Sequence, residues 1–192
     1  MDASVLQRHE MQVSEENILR VADACEHALE LQKKGDIEGS ISLLRSGLRP
    51  PSLWRRHAIG AASWAAFESA LAAAFCDRIV GSRAANIEAA LGHFESALLV
   101  FTIEDYPTQF AECSNGLATA YTERIEGEKA HNLESAIQHF HSALSVYTLQ
   151  SFPERWAMVN SNLGTAFMER DEGDRADNYE VAIEHYQNAL EV

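Results

Sequence analysis

The sequence predicts an all-α protein built as a stack of antiparallel helical hairpins, and three observations carry that expectation. The stretch Asn132 to Val146, NLESAIQHFHSALSV, recurs 46 residues earlier as NIEAALGHFESALLV (Asn86 to Val100) and 46 residues later as NYEVAIEHYQNALEV (Asn178 to Val192). A fixed period marks one supersecondary unit stacked on itself. Between residues 109–146 and 155–192, 17 of 38 aligned positions are identical, more than shared composition produces. Only four prolines and ten glycines stand against abundant Ala, Leu and Glu, which favours helices over strands. Within each segment the apolar residues recur at three- and four-residue spacing.

A chain of 192 residues is long enough to bury a sizeable core, and 46% hydrophobic with 23% charged residues is ordinary for a globular domain. The net charge of −14 argues against nucleic acid, whose affinity comes from Lys and Arg on phosphates, and against anionic membrane surfaces. Acid is concentrated late: residues 169–192 hold eight carboxylates against Arg170 and Arg175, so protein partners with basic surfaces are favoured. No apolar run approaches the roughly 20 residues of a membrane span. The opening MDASVLQRHEMQ lacks the apolar core of a signal peptide, so a cytoplasmic protein is expected. Cys25, Cys76 and Cys113 are an odd number, widely spaced, each inside a helical pattern, and read as small core residues rather than a disulfide framework or metal clip.

Taken in order, residues 1–12 read as a flexible leader. Residues 13–51 read as a first hairpin: Ser14 caps a helix with Glu15 and Glu16 in its first turn, and Ile18, Val21, Ala22, Cys25, Ala28 and Leu29 form its stripe. Lys33-Lys34-Gly35-Asp36 closes that helix and opens a second one carrying Ile37, Ile41, Leu44 and Leu48. Arg49-Pro50-Pro51 stops it. An alanine-rich helix then runs from near Ser52 to about Ile79, with Trp54, Trp64, Phe67, Leu71 and Phe75 among the small residues. Gly81-Ser82-Arg83 is expected to be the turn and Asn86 the cap of the next helix, which buries Ala90, Leu91, Phe94, Ala97, Leu98 and Phe101. Three long units follow, at about 52–106, 107–152 and 153–192. Trp64, Phe110 and Trp156 correspond, as do Leu71, Leu117 and Leu163; Phe75, Tyr121 and Phe167; Arg78, Arg124 and Arg170; and Gly81, Gly127 and Gly173.

These residues resemble the tetratricopeptide repeat. Its first helix has Leu, a small residue and an aromatic three further on, present as Leu71-Ala72…Phe75, Leu117-Ala118…Tyr121 and Leu163-Gly164…Phe167. Its second helix has Ala, an aromatic and Ala, present as Ala90…Phe94…Ala97, Ala136…Phe140…Ala143 and Ala182…Tyr186…Ala189. The period departs from the family's usual length, with extra residues between paired helices and between units. The resemblance implies a right-handed α-solenoid of about eight helices, similar to long-period arrays in large bacterial signalling and CHAT-type proteins. It also implies a concave face lined by the first helices, carrying Ser69, Ala73 and Cys76; Asn115, Thr119 and Thr122; and Ser161, Thr165 and Met168. Ala66, Glu112 and Met158 flank that face on one side, with Asp77, Glu123 and Glu169 on the other. Family members that clamp a peptide carboxylate supply Lys and Arg at these places, whereas this chain supplies only the amide of Asn115.

The chemistry of the repeats is read as structural. His93, His139 and His185 recur at one helical position, but stacked helices lie roughly 8–10 Å apart, too far for a shared metal. His139 and His141 are two apart and point to different sides of their helix. Arg78, Arg124 and Arg170 are expected to complement helix C-termini and pair with carboxylates across units. No Ser-His-Asp or Cys-His arrangement and no glycine-rich phosphate loop can be argued, so neither enzyme activity nor a cofactor is expected. The expected function is a protein–protein interaction scaffold holding a peptide or partner domain, basic or of mixed polar and apolar character, on the concave face. The alternative is a regulatory, self-associating N-terminal segment of a larger multidomain effector. Because Ile183, Tyr186, Ala189 and Leu190 have no following helix in this sequence, helix 178–192 is expected to be the association surface.

Overall fold

A computed structural model describes residues 23–47 and 58–192 of the chain. These form eight helices: α1 (23–33), α2 (Ile37–Gly47), α3 (Ala58–Asp77), α4 (Arg83–Leu98), α5 (Pro107–Thr122), α6 (Lys129–Leu144), α7 (Pro153–Glu169) and α8 (Arg175–Ala189). The protein is all-α, with no strand among the described residues. The expected leader at 1–12, the Ser14 cap with Glu15, Glu16, Ile18, Val21 and Ala22, and the stretch from Leu48 through Pro51 to Ser52 and Trp54 lie outside the described residues. So do the boundaries expected near residues 13 and 52.

From α2 onward each helix packs on its neighbours in chain order, and α3, α5 and α7 also touch one another in succession. No such contact joins α4, α6 and α8 to one another. The reason lies in α3, α5 and α7, which carry small residues on more than one side. Ala65, Ala72, Ala74, Ala111, Ala118 and Ala120 are completely buried, and a methyl group lets two backbones approach where a larger side chain would hold them apart.

Large side chains then fill the space between hairpins in three successive clusters. Ile41, Leu44, Phe67, Leu71 and Phe75 form the first. Ile87, Leu91, Phe94 and Phe101 meet Cys113 and Leu117 in the second, and Leu133, Ile137, Phe140 and Tyr147 meet Val159 and Leu163 in the third. Each fully buried Leu, Ile or Phe contributes about 1.5–3 kcal/mol of transfer free energy. The apolar pattern of the sequence therefore specifies both the helices and their partners.

The connections repeat as faithfully as the helices. Between units, Pro107 and Pro153 occupy the first helical turn, where a missing N–H costs nothing. Just ahead of them Tyr106 and Phe152 meet Phe101 and Tyr147 edge-on, at 5.4 Å between ring centroids in both cases. Within units, Gly81, Gly127 and Gly173 have φ of 87°, 80° and 82°. Glycine reaches that conformation freely, whereas an L side chain there costs roughly 1–2 kcal/mol.

The expected caps need one correction. Asn86, Asn132 and Asn178 do not cap α4, α6 and α8; those helices begin three residues earlier, and the asparagines sit buried in the first turn. Gly81-Ser82-Arg83 is accordingly not all turn: Ser82 is the N-cap and Arg83 is already helical. Asp174 caps α8 by accepting from the N–H groups of Ala176 and Asp177. The asparagine amides look backwards instead, as described below. The alanine-rich helix also ends at Asp77 rather than Ile79, and Ile79 is exposed.

Candidate functional site

The first helices of the units are fixed relative to one another by a polar lattice that recurs in every repeat. Arg124 Nε and Nη2 donate to the two carboxylate oxygens of Glu88, on the preceding unit, at 2.7 and 3.0 Å. Arg78 makes the same fork with Glu38, and Arg170 with Glu134. Planar guanidinium suits two parallel bonds to one carboxylate, which fixes orientation as well as distance. The Arg78 and Arg124 guanidinium groups hold Glu38 and Glu88 below the usual carboxylate range.

Each guanidinium also lies over the aromatic ring three residues before it: Phe75, Tyr121 or Phe167, at 5.7–5.8 Å. The recurrent histidine stacks on the same ring, in the pairs Phe75–His93, Tyr121–His139 and Phe167–His185, and Phe75 also carries the Arg45 guanidinium at 5.2 Å. The histidine ladder is therefore spent on packing, within each unit and, for His185, also against His141 of the preceding unit at 6.1 Å between ring centroids. Its ring nitrogens reach Glu68 from His93 at 2.6 Å and Asn160 from His185 at 2.9 Å. At the equivalent place beside His139 stands Ser114, whose buried hydroxyl has no hydrogen-bond partner.

The asparagines complete the lattice. Asn86 Nδ2 donates to the carbonyls of Arg78 and Val80, at 3.1 and 3.0 Å, while its Oδ1 accepts from Arg78 Nη1. Asn132 and Asn178 repeat all three contacts with Arg124 and Glu126, and with Arg170 and Glu172. One amide thereby satisfies two carbonyls that the preceding helix leaves without a partner. The sequence placed the arginine at the end of one helix and Asn86 as the cap of the next; the amide instead serves the end of the preceding helix.

On this frame the face of α5 and α7 opens a cavity of about 190 Å³. Thr119, Thr122, Thr165 and Glu169 line it, together with Asn162, which the sequence did not single out. Leu133, Phe140 and Ala166 supply its apolar wall. The threonine hydroxyls donate to carbonyls of their own helices: Thr119 to Asn115, Thr122 to Thr119, and Thr165 to Ser161. The remaining lone pairs of Thr119 and Thr122 are acceptors, while Thr165 Oγ1 also meets the Tyr186 hydroxyl at 3.0 Å. Asn115 lies on the same helix, with a buried side-chain oxygen that has no partner.

The other residues assigned to this face divide into two groups. Ser161, Met158 and Met168 are exposed on α7, and Met168 accepts a bond from the Tyr186 hydroxyl at 3.4 Å. On α3, Ser69 and Ala73 are half-buried, Ser69 accepts from the Cys113 thiol at 3.3 Å, and the half-buried Cys76 uses its carbonyl to accept from Arg83. Neither group lines the cavity. Three of the four carboxylates expected at this face are paired: Glu112 with Arg155, Glu123 with Arg83, and Glu169 with Lys129, while Asp77 is exposed. Along α5 and α7 the face therefore presents hydroxyls, amides and thioethers beside paired carboxylates. No local spacing in the sequence signals these pairs, because each basic partner lies about 40 residues from its carboxylate.

Cys25, Cys76 and Cys113 are unpaired, and burial pushes each thiol up to about 11. Thiolate chemistry at neutral pH is correspondingly suppressed. Among the described residues no three His, Cys, Asp or Glu side chains converge as a metal site, and no helix is long and apolar enough to cross a membrane. No protein-family model, curated protein or solved structure matches the chain.

Proposed function

We propose that the chain is a protein-interaction scaffold of the tetratricopeptide-like kind, holding an extended peptide segment against the face made by α3, α5 and α7. The observation that carries this reading is the cavity between α5 and α7, with hydroxyl and amide groups standing over the rings and methyls of Leu133, Phe140 and Ala166. Concave sites with a few polar groups on an apolar wall are the usual form of a binding surface. Contacts of α3 with α5 and of α5 with α7, without matching contacts among α4, α6 and α8, support an array curved with this face inward. Such curvature is the property solenoids use to wrap a partner.

Because Glu112, Glu123 and Glu169 are already paired, the segment recognised is polar and apolar in its contacts, and its basic residues respond to the overall charge of −14 rather than to one carboxylate. The cytoplasm is the compartment proposed, supported by three separate free thiols. The test is selection from a displayed library of random peptides on the wild-type chain and on a Thr119→Arg, Thr165→Arg variant that fills the cavity. The wild type is expected to enrich a consensus of extended polar and apolar residues that the variant does not retain. No enrichment, or the same consensus from both proteins, would overturn the reading.

A further inference from the structure

The hydroxyls that line the cavity between α5 and α7 have no protons left to give. Thr119 Oγ1 donates to the Asn115 carbonyl at 3.0 Å, and Thr122 Oγ1 donates to the Thr119 carbonyl at 2.7 Å. Thr165 Oγ1 has the Ser161 carbonyl at 3.2 Å and the Tyr186 hydroxyl at 3.0 Å, so its one proton is taken as well. A hydroxyl carries a single proton and two lone pairs, so lone pairs are what these residues offer a ligand. Glu169 adds a carboxylate, one oxygen of which accepts from Lys129 Nζ at 3.1 Å. Among the lining side chains only the Asn162 amide has N–H groups to donate.

This surplus of acceptors restricts the occupant. An anion would face lone pairs and the Glu169 carboxylate. A purely apolar group would strip water from the threonine oxygens and give nothing in return. A donor is required, and the net charge of −14 favours a cationic one. Guanidinium is suited to a carboxylate with both oxygens open, whereas these acceptors are single oxygens on separate residues of two helices. An ammonium, a compact charge with three donors on a flexible stem, suits them better.

The apolar wall fits the same group. Leu133, Phe140 and Ala166 stand beside the acceptors, and a lysine stem covers apolar surface while its charged end stays among polar atoms. The cavity, at about 190 Å³, is smaller than the roughly 300–1,000 Å³ of sites that enclose whole small ligands, which sets the scale at one side chain.

We propose that this cavity is a lysine pocket. The ammonium of one lysine in the bound segment donates to the side-chain oxygens of Thr119, Thr122 and Asn162, and its stem lies along Leu133, Phe140 and Ala166. The assignment rests on reading this face as a peptide-binding surface and names the side chain that the surface selects.

The probe is N-acetyl-lysine methylamide, titrated onto the isotope-labelled full chain and followed by NMR. The amide signals of Thr119, Thr122, Asn162 and Thr165 should shift and saturate. The norleucine analogue keeps the apolar stem but lacks the ammonium, and should bind roughly tenfold more weakly. Thr119→Val combined with Thr122→Val keeps the shape and removes two acceptors; it should weaken the lysine probe by roughly tenfold and leave the norleucine probe unchanged. Thr119→Ser, which retains the hydroxyl, should bind the lysine probe as the wild type does. Equal binding of the two probes, or no shift with the lysine probe, would overturn the lysine pocket. Enrichment from the displayed library of peptides without lysine would also overturn it, while leaving the scaffold reading in place.

Discussion

Asn132, in the first turn of α6, donates its side-chain amide to the carbonyl of Glu126 at 2.9 Å across the turn that joins two helices. The same amide reaches the carbonyl of Arg124, and its oxygen accepts from the Arg124 guanidinium. A single buried side chain thus closes one helix and fixes where the next begins. Asn132→Ala leaves these carbonyls unpaired at a site 3% exposed and should cost about 1–3 kcal/mol. Asn132→Asp should cost more, because a carboxylate cannot donate to carbonyl oxygens. Urea unfolding of the two variants orders them; equal midpoints to wild type would remove the amide from this role.

Arg124 joins the lattice between units rather than within one. Its fork to Glu88 is partly exposed, so the ion pair and the stacking on Tyr121 together should contribute only about 1 kcal/mol. The informative variant is Arg124→Lys, which keeps the charge but loses the planar fork and the bond to Asn132. It should be nearly as destabilised as Arg124→Ala, read by hydrogen exchange of amides in α5 and α6. Full protection in the lysine variant would mean that charge alone suffices.

His139, His141 and His185 are all lowered from their ordinary value of 6.5, chiefly because burial disfavours the charged imidazole. The unfolded chain then takes up protons that the folded chain resists. Their contribution is fully present above about 6.5 and is lost as pH falls through the lower folded values. Glu38 and Glu88, lowered by their arginines, add a second loss at more acid pH, below 4.5. Urea midpoints measured from pH 7.5 to 5.5 should therefore fall before Glu38 and Glu88 titrate; a flat profile across that interval would contradict the burial of these rings.

The three thiols should be slow to react while the protein is folded, since burial pushes each up to about 11. Exposure to a thiol-specific reagent at pH 8 is expected to modify them only after urea is added. Rapid labelling of Cys113, which is completely buried, would show that α5 opens readily from α3.

Much of this molecule was legible in the linear chain. The 46-residue recurrence, the alanines at 72, 118 and 166, and the aromatics at 75, 121 and 167 dictate helical hairpins that stack, because each unit has an apolar side it cannot bury alone. The identity of Arg78, Arg124 and Arg170 as cross-unit pairs was legible too, because a repeated charge beside a repeated carboxylate has few other uses. The direction of the asparagine amides was not, since an Asn near a helix start serves as an N-cap in one backbone conformation and as a partner for the previous helix in another. Nor could the sequence show that Glu112, Glu123 and Glu169 are neutralised by Arg155, Arg83 and Lys129. Helical period and composition are local and determined the elements; which charges cancel and which hydroxyls remain in the cavity at α5 and α7 depend on distances between residues some 40 positions apart, and those only the packed structure decides.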